Sequence, residues 1–124
     1  MAEVKLADII VDCVDAMEMQ KFYMGLLGWK AAEFFGNPAV KSENEVMIVF
    51  IAEEEEGLYT PPIWPDEKEK QQKQIHFDFV VSDLAVAVEK AMELGAKKAE
   101  AQYGGDIFVT LFDPAGHPFC LVQE

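Results

Sequence analysis

"LGWKAAE" runs from Leu27 to Glu33, and "LGAKKAE" runs from Leu94 to Glu100, 67 residues further on. Two near-copies in a chain of 124 residues decide the fold, because a repeated stretch implies a repeated structural unit. The repeat occurs twice only, so it marks a duplicated module and not a solenoid. In both copies the glycine, Gly28 or Gly95, closes a run of apolar residues at helical spacing. Upstream, Asp15 stands before the first run as Asp83 stands before the second, with an offset of 68.

Each half then reads in the same order. "VKLADIIVDCV" (4–14) alternates and is β-branched, which predicts a strand. Asp15 can cap the following helix, with Glu18 three residues on as capping-box partner. Met19, Phe22, Tyr23, Leu26 and Leu27 form one apolar face. Gly28 stops the helix by taking the left-handed conformation. Strands are expected around 29–35, 38–43 and 46–53. In the second half, "QIHFDFVV" (74–81) is the strand, and Leu84, Ala87, Val88, Ala91 and Leu94 face one side of the helix. Strands near 97–102, 106–112 and 117–123 complete it, with "YGGD" and "DPAG" as turns. The fold class is α+β: two βαβββ modules.

The modules span about 1–54 and about 74–124, and about 55–73 is a linker. The linker holds Pro61, Pro62 and Pro65 and a run of charge, which mark a surface segment. Its "LYTPPIWP" is aromatic for a spacer. Tyr59 and Trp64 are expected to cover apolar surface of the domain or of a partner, or to meet a ligand.

Composition bounds the function. A chain of this length forms one domain with a sizeable core. Formal net charge is −13, and all ten basic residues are lysine. Phosphate backbones and anionic membranes need clustered cations, so neither nucleic acid nor membrane is an expected partner. Cys13 and Cys120 suggest reduced thiols and a cytoplasmic location, not a disulfide framework. No apolar run is long enough to span a bilayer, and "MAEVKLADII" lacks the pattern of a leader.

Strand alternation sorts the side chains onto two faces. Ala7, Ile9, Val11 and Cys13 share an apolar face, as do Ile75, Phe77, Phe79 and Val81; both should pack under the helices. The opposite faces carry Asp8, Ile10 and Asp12, and His76, Asp78 and Val80. Asp8 and His76 each stand seven residues before a helix-capping Asp. A pseudo-two-fold relation between the halves would bring them together. On the last strand Phe119 and Leu121 face the helices, so Cys120 faces the side of Asp8 and His76.

The paired modules, together with "FYMGLLGW" (22–29), "IHFDFVVSDL" (75–84) and "DPAGHPFCL" (113–121), resemble the vicinal-oxygen-chelate superfamily. "PPIWP" (61–65) before "QIHFDF" narrows the resemblance to its glyoxalase-like branch. The resemblance implies that the two modules curl their mixed sheets into a cup. It does not choose the reaction, since members include lyases, isomerases, epimerases, dioxygenases, thiol transferases and metal-free drug-binding resistance proteins. Metal-dependent members chelate a divalent ion from the first, fourth, fifth and eighth strands. Carried over by residue, those positions fall on Asp8, within the apolar "MIVF" (47–50), on His76 and on Cys120, where the metal enzymes carry glutamate.

The expectation is therefore a glyoxalase-like protein that binds a small organic ligand in its cup without metal, with drug sequestration as one form of this. Its ligand-binding candidates are Asp8, His76, Asp78, Cys120, Tyr59 and Trp64, with Trp29 as a further rim residue. An Asp8–His76 hydrogen bond would close the module junction. The alternative is a metal-assisted lyase or isomerase using Zn, Fe, Ni or Mn on Asp8, His76 and Cys120; acid–base chemistry without metal, with Asp8 raising the basicity of His76, is a further reading that makes these two the catalytic candidates. A third alternative is a dimeric structural module, and a homodimer is compatible with all three. His117 is assigned to backbone hydrogen bonds that fix the turn at Asp113.

Overall fold

Ten elements follow in the expected order in the computed structural model, which describes residues 4–55 and 57–124. The start of the chain, read above as lacking a leader, and Glu56 of the acidic linker run lie outside the described residues. The first module is β1 (Ile9–Cys13), α1 (Ala16–Leu27), β2 (Lys30–Phe34), β3 (Asn37–Lys41) and β4 (Met47–Ala52). The second is β5 (Phe77–Val81), α2 (Leu84–Leu94), β6 (Lys97–Lys98), β7 (Phe108–Phe112) and β8 (Pro118–Gln123). Each module is a four-stranded mixed sheet, ordered β1-β4-β3-β2 and β5-β8-β7-β6. The helix makes the parallel crossover possible: β1 runs parallel to β4 and β5 parallel to β8, while the other neighbours are antiparallel.

Local chemistry sets the helix ends. The Asp15 carboxylate accepts from the Glu18 N–H at 3.0 Å, and the Asp83 carboxylate accepts from the Val86 N–H at 3.2 Å. Each satisfies a donor that the helix start leaves free. Gly28 ends α1 at φ 71°, a conformation any Cβ would disfavour.

The two modules share one core. Phe22 and Tyr23 of α1, Phe50 of β4, and Phe119 and Leu121 of β8 are all fully or almost fully buried in one cluster. The Tyr23 ring stacks on Phe50 at 5.5 Å and meets Phe77 and Phe79 edge-on at 6.2 and 6.3 Å. The modules thus pack on each other within the chain, through α1. The first strand is shorter than its alternation suggests, since residues 4–8 precede the ladder and Ala7 is exposed. Ile75, expected under the helix, is 84% exposed because β5 begins only at Phe77.

β6 is two residues long, not six, for a visible reason. Gln102 takes over the ladder: its Oε1 accepts from the Thr110 N–H at 2.9 Å. Its Nε2 donates to the carbonyls of Thr110 and Ala99, each at 2.8 Å. A side-chain amide therefore does the work of a third strand residue. Gln102→Leu leaves the amide and carbonyl of buried Thr110 without these partners. We expect a loss of about 1–3 kcal/mol in urea unfolding, and an unchanged midpoint would show that water replaces the amide.

Candidate functional site

β1 and β5 are the terminal strands of their sheets, and a cleft of about 450 Å³ lies between them. Linker residues from Leu58 to Pro62 and from Gln71 to Gln74 close it, together with His117 and Pro118. Ile9, Val11, Leu58 and Phe77 form apolar wall; Asp12, Glu53, Tyr59 and both histidines of the chain, His76 and His117, supply polar groups, and Lys73, also in the lining, has its charge paired with Asp66 at 2.7 Å. The size and the mix suit a small organic molecule.

The "DPAGHP" turn brings His117 and Pro118 into the lining. Asp113 is 3% exposed and accepts three hydrogen bonds: from Tyr23 Oη at 2.7 Å, the Ala115 N–H at 2.9 Å and the His117 N–H at 3.0 Å. Burial pushes its carboxyl above the ordinary value, and the Tyr23 hydroxyl, His117 and the two amides hold the shift back. Gly116 at φ 90° lets the turn close and lets Pro61 of the linker approach, where a Cβ would lie 2.8 Å from the proline ring.

His117 does more than fix this turn. Its Nε2 lies 2.6 Å from the Asp12 carbonyl at the end of β1 and 3.0 Å from Tyr59 Oη. A carbonyl only accepts, so Nε2 carries the proton. Tyr59 Oη in turn donates to the Ala115 carbonyl at 2.8 Å. First strand, linker and last turn are thus tied at one point of the cleft. Burial, with the charge of Asp113, holds the Tyr59 hydroxyl well above its usual range, so Tyr59 serves as a neutral hydrogen-bonding group. Cys13 nearby is pushed up to about 11, chiefly by burial and then by Asp113 and Asp12, and stays a thiol.

On the other face of the second sheet, the parallel register sets Asp78 directly beside Cys120. His76, two residues before Asp78, shares its face, and His76 Nε2 lies 3.3 Å from Asp78 Oδ1. One ligand atom from each of the three falls within 4.8 Å of the others. Cys120 Sγ is 3.3 Å from Thr110 Oγ1, and its pKa is raised, mainly by burial, against the pull of that hydrogen bond. Tetrahedral zinc, with bonds of about 2.0–2.3 Å, holds its ligand atoms about 3.3–3.8 Å apart. The His76–Asp78 spacing already meets this, and imidazole, carboxylate and thiolate are donors that zinc accepts. The residues present fit a divalent ion.

The structure distributes the residues singled out from sequence. It joins His76, Asp78 and Cys120, and places His76 and Tyr59 in the cleft. Asp8 is half-buried ahead of β1, and among the described residues His76 pairs with Asp78 and not with Asp8. Trp64 donates from Nε1 to the Ala101 carbonyl at 2.8 Å and packs beside Tyr103, with the Lys73 ammonium 5.1 Å from its ring. It covers the protein's own surface and does not line the cleft. Trp29 lies in a separate groove with Lys30 and Lys41. Sequence reasoning missed His117, Asp12 and Glu53 as cleft residues. Alternation already put Asp12 on the face of Asp8 and Ile10; nothing local marked the other two. Cys13 and Cys120 are both free. No helix among the described residues is long and apolar enough to cross a membrane.

Two βαβββ modules with a cleft at their junction define a class, and the comparisons agree. Residues 8–122 match the model of the glyoxalase-like domain. The fold is shared with a glyoxalase/bleomycin resistance protein/dioxygenase family enzyme from Burkholderia phytofirmans PsJN, at TM-score 0.71 and 18% identity over 97% of this chain and 98% of that one. It is shared with a hypothetical protein from S. aureus, at TM-score 0.71 and 15% identity over 99% and 96%. A fosfomycin resistance protein from Mesorhizobium loti has TM-score 0.67 and 14% identity over 100% and 94%. No curated protein matches the chain. The chain belongs to the glyoxalase-like domain family, within the vicinal-oxygen-chelate superfamily.

Proposed function

We propose that the protein binds a small organic ligand, preferably cationic or amine-bearing, in the cleft between β1 and β5. One observation carries this: Asp12 and Glu53 line the same cleft as the apolar wall of Ile9, Val11, Leu58 and Phe77. Apolar surface supplies affinity, and the two carboxylates select charge. The net charge of −13 draws cations toward it. Sequestration of a drug-like cation is the form of binding we put first; a fosfomycin resistance protein shares the fold, which supports a binding cup but not a particular ligand. A homodimer fits this reading, since pairing would cover exposed Ile10 and Val80.

A thermal-shift screen of amines, polyamines and glycopeptide drugs against neutral analogues tests it. A ligand at 100 times its Kd stabilises by about 2.7 kcal/mol, which for a domain of this size raises Tm by about 10 °C. No shift from any cation at millimolar concentration would sink the proposal.

A second reading is favoured by the His76–Asp78–Cys120 trio: a metal-assisted lyase or isomerase acting on a small oxygenated substrate. A bound divalent ion would supply Lewis-acid polarisation of a substrate oxygen. His76 belongs to both trio and cleft, so the two readings share a residue.

A further inference from the structure

We propose that the second module alone holds a zinc-type ion, on His76, Asp78 and Cys120, with Thr110 as the outer hydroxyl that supports the sulfur. The inference rests on the second reading above and departs from the ligand pattern the resemblance carries over. That pattern draws on both modules, through Asp8 and the fourth strand. Here the fourth-strand position is apolar, and Asp8 is not among the gathered donors. Asp78 replaces it from within the second sheet.

The backbone register makes this site. Three neighbouring strands set Thr110, Cys120 and Asp78 in one row: Thr110 pairs with Cys120, and Cys120 pairs with Asp78. His76 lies one step along the same face. Asp78, Cys120 and Thr110 are therefore fixed by sheet hydrogen bonds, and His76 stands directly before the first residue of β5, which favours precise metal geometry. Cys120 is 4% exposed, whereas the side chains of His76 and Asp78 are 37% and 61% exposed. The sulfur anchors the ion from inside, and the open position faces outward, as a catalytic zinc site requires. Metal binding replaces the thiol proton, which passes to water as the metal–sulfur bond forms. The Thr110 hydroxyl, 3.3 Å from the sulfur, is then placed to donate to the thiolate. A thiolate and an imidazole select Zn²⁺ or Co²⁺ over Mg²⁺ or Mn²⁺.

Co²⁺ titration of the untagged full chain reads the site without any activity assay. We expect tetrahedral d–d bands together with a near-ultraviolet thiolate-to-cobalt band, both lost when Zn²⁺ is added. Cys120→Ser should remove the thiolate band. Asp78→Asn should weaken cobalt binding at least about tenfold, and Thr110→Val about 10–100-fold with the band retained. Asp8→Asn should change neither spectrum nor affinity. Metal-free unfolding of each variant separates a lost ligand from a lost fold. A cobalt spectrum with no thiolate band, or one weakened by Asp8→Asn and not by Asp78→Asn, overturns this ligand set while the metal-assisted reading stands. No binding of Co²⁺ or Zn²⁺ at all overturns both.

Discussion

Asp113→Ala should cost about 3–5 kcal/mol, the largest effect expected of any single polar substitution in the chain. The carboxylate is nearly fully buried and serves Tyr23, Ala115 and His117 at once. Truncation leaves one buried hydroxyl and two turn amides without their acceptor, and it loosens the residue whose ring holds the end of β1. A domain of this kind has about 5–15 kcal/mol in all, so urea unfolding should shift markedly. Tyr23→Phe removes one donor to a charged group and should cost about 1.5–3 kcal/mol. Asp113→Asn keeps an oxygen for the two amides and should cost less than alanine. Because Tyr23 and Asp113 are partners, their double variant should lose less than the sum of the singles.

The same site predicts a pH dependence with a definite sign. Burial raises the Asp113 carboxyl above its ordinary 3.8 in the folded state. A folded value above the unfolded one means that the protonated form is favoured by folding. The contribution of Asp113 is then fully present below the unfolded value and is lost as pH rises through the raised one. The stability gap between the native protein and Asp113→Asn should therefore widen on acidification between that raised value and 3.8. A gap that narrows would mean that the three donated hydrogen bonds outweigh burial.

The repeat and the caps were legible because each rests on a local rule. Asp15 and Asp83 cap, Gly28 and Gly95 stop, and the two glycines stand at matching positions. The site was legible in part. Alternation correctly grouped His76 and Asp78 on one face, but it cannot state which strand lies alongside, nor in what register. That register puts Asp78, and not Asp8, next to Cys120. Strand lengths failed where a side chain intervened, as Gln102 does at β6. Trp64 was expected to cover apolar surface or to meet a ligand, since an aromatic in a linker has no local reason. Its reason is distant, a carbonyl 37 residues away at Ala101. His117 was read for its backbone, which does bond Asp113. Its ring reaches 105 residues back to Asp12, a contact that only the packing of the two modules creates.

Charge reversal at Glu53 should weaken binding of a cationic ligand about 100-fold while leaving a neutral analogue almost unaffected. A carboxylate about 6 Å from a bound charge, in a cleft of intermediate dielectric, contributes about 1.4 kcal/mol, which is about tenfold in affinity. Glu53→Gln removes that attraction, and Glu53→Lys replaces it with a repulsion of similar size. Glu53 lines the cleft, so the effect is local. Glu89 on α2 is exposed and outside the cleft, so Glu89→Lys makes the same change in net charge without touching the site. If binding depends on the overall acidic field, the two lysine variants should weaken it alike, and both effects should fade once salt shortens the screening length to about 8 Å at physiological strength. If Asp12 and Glu53 select the ligand, Glu53→Lys alone should be severe, and part of its effect should persist in salt because partly buried charges are screened less than exposed ones. Isothermal titration of the two variants at low and physiological salt decides between a general acidic surface and a built cation site, and equal losses would refute the built site.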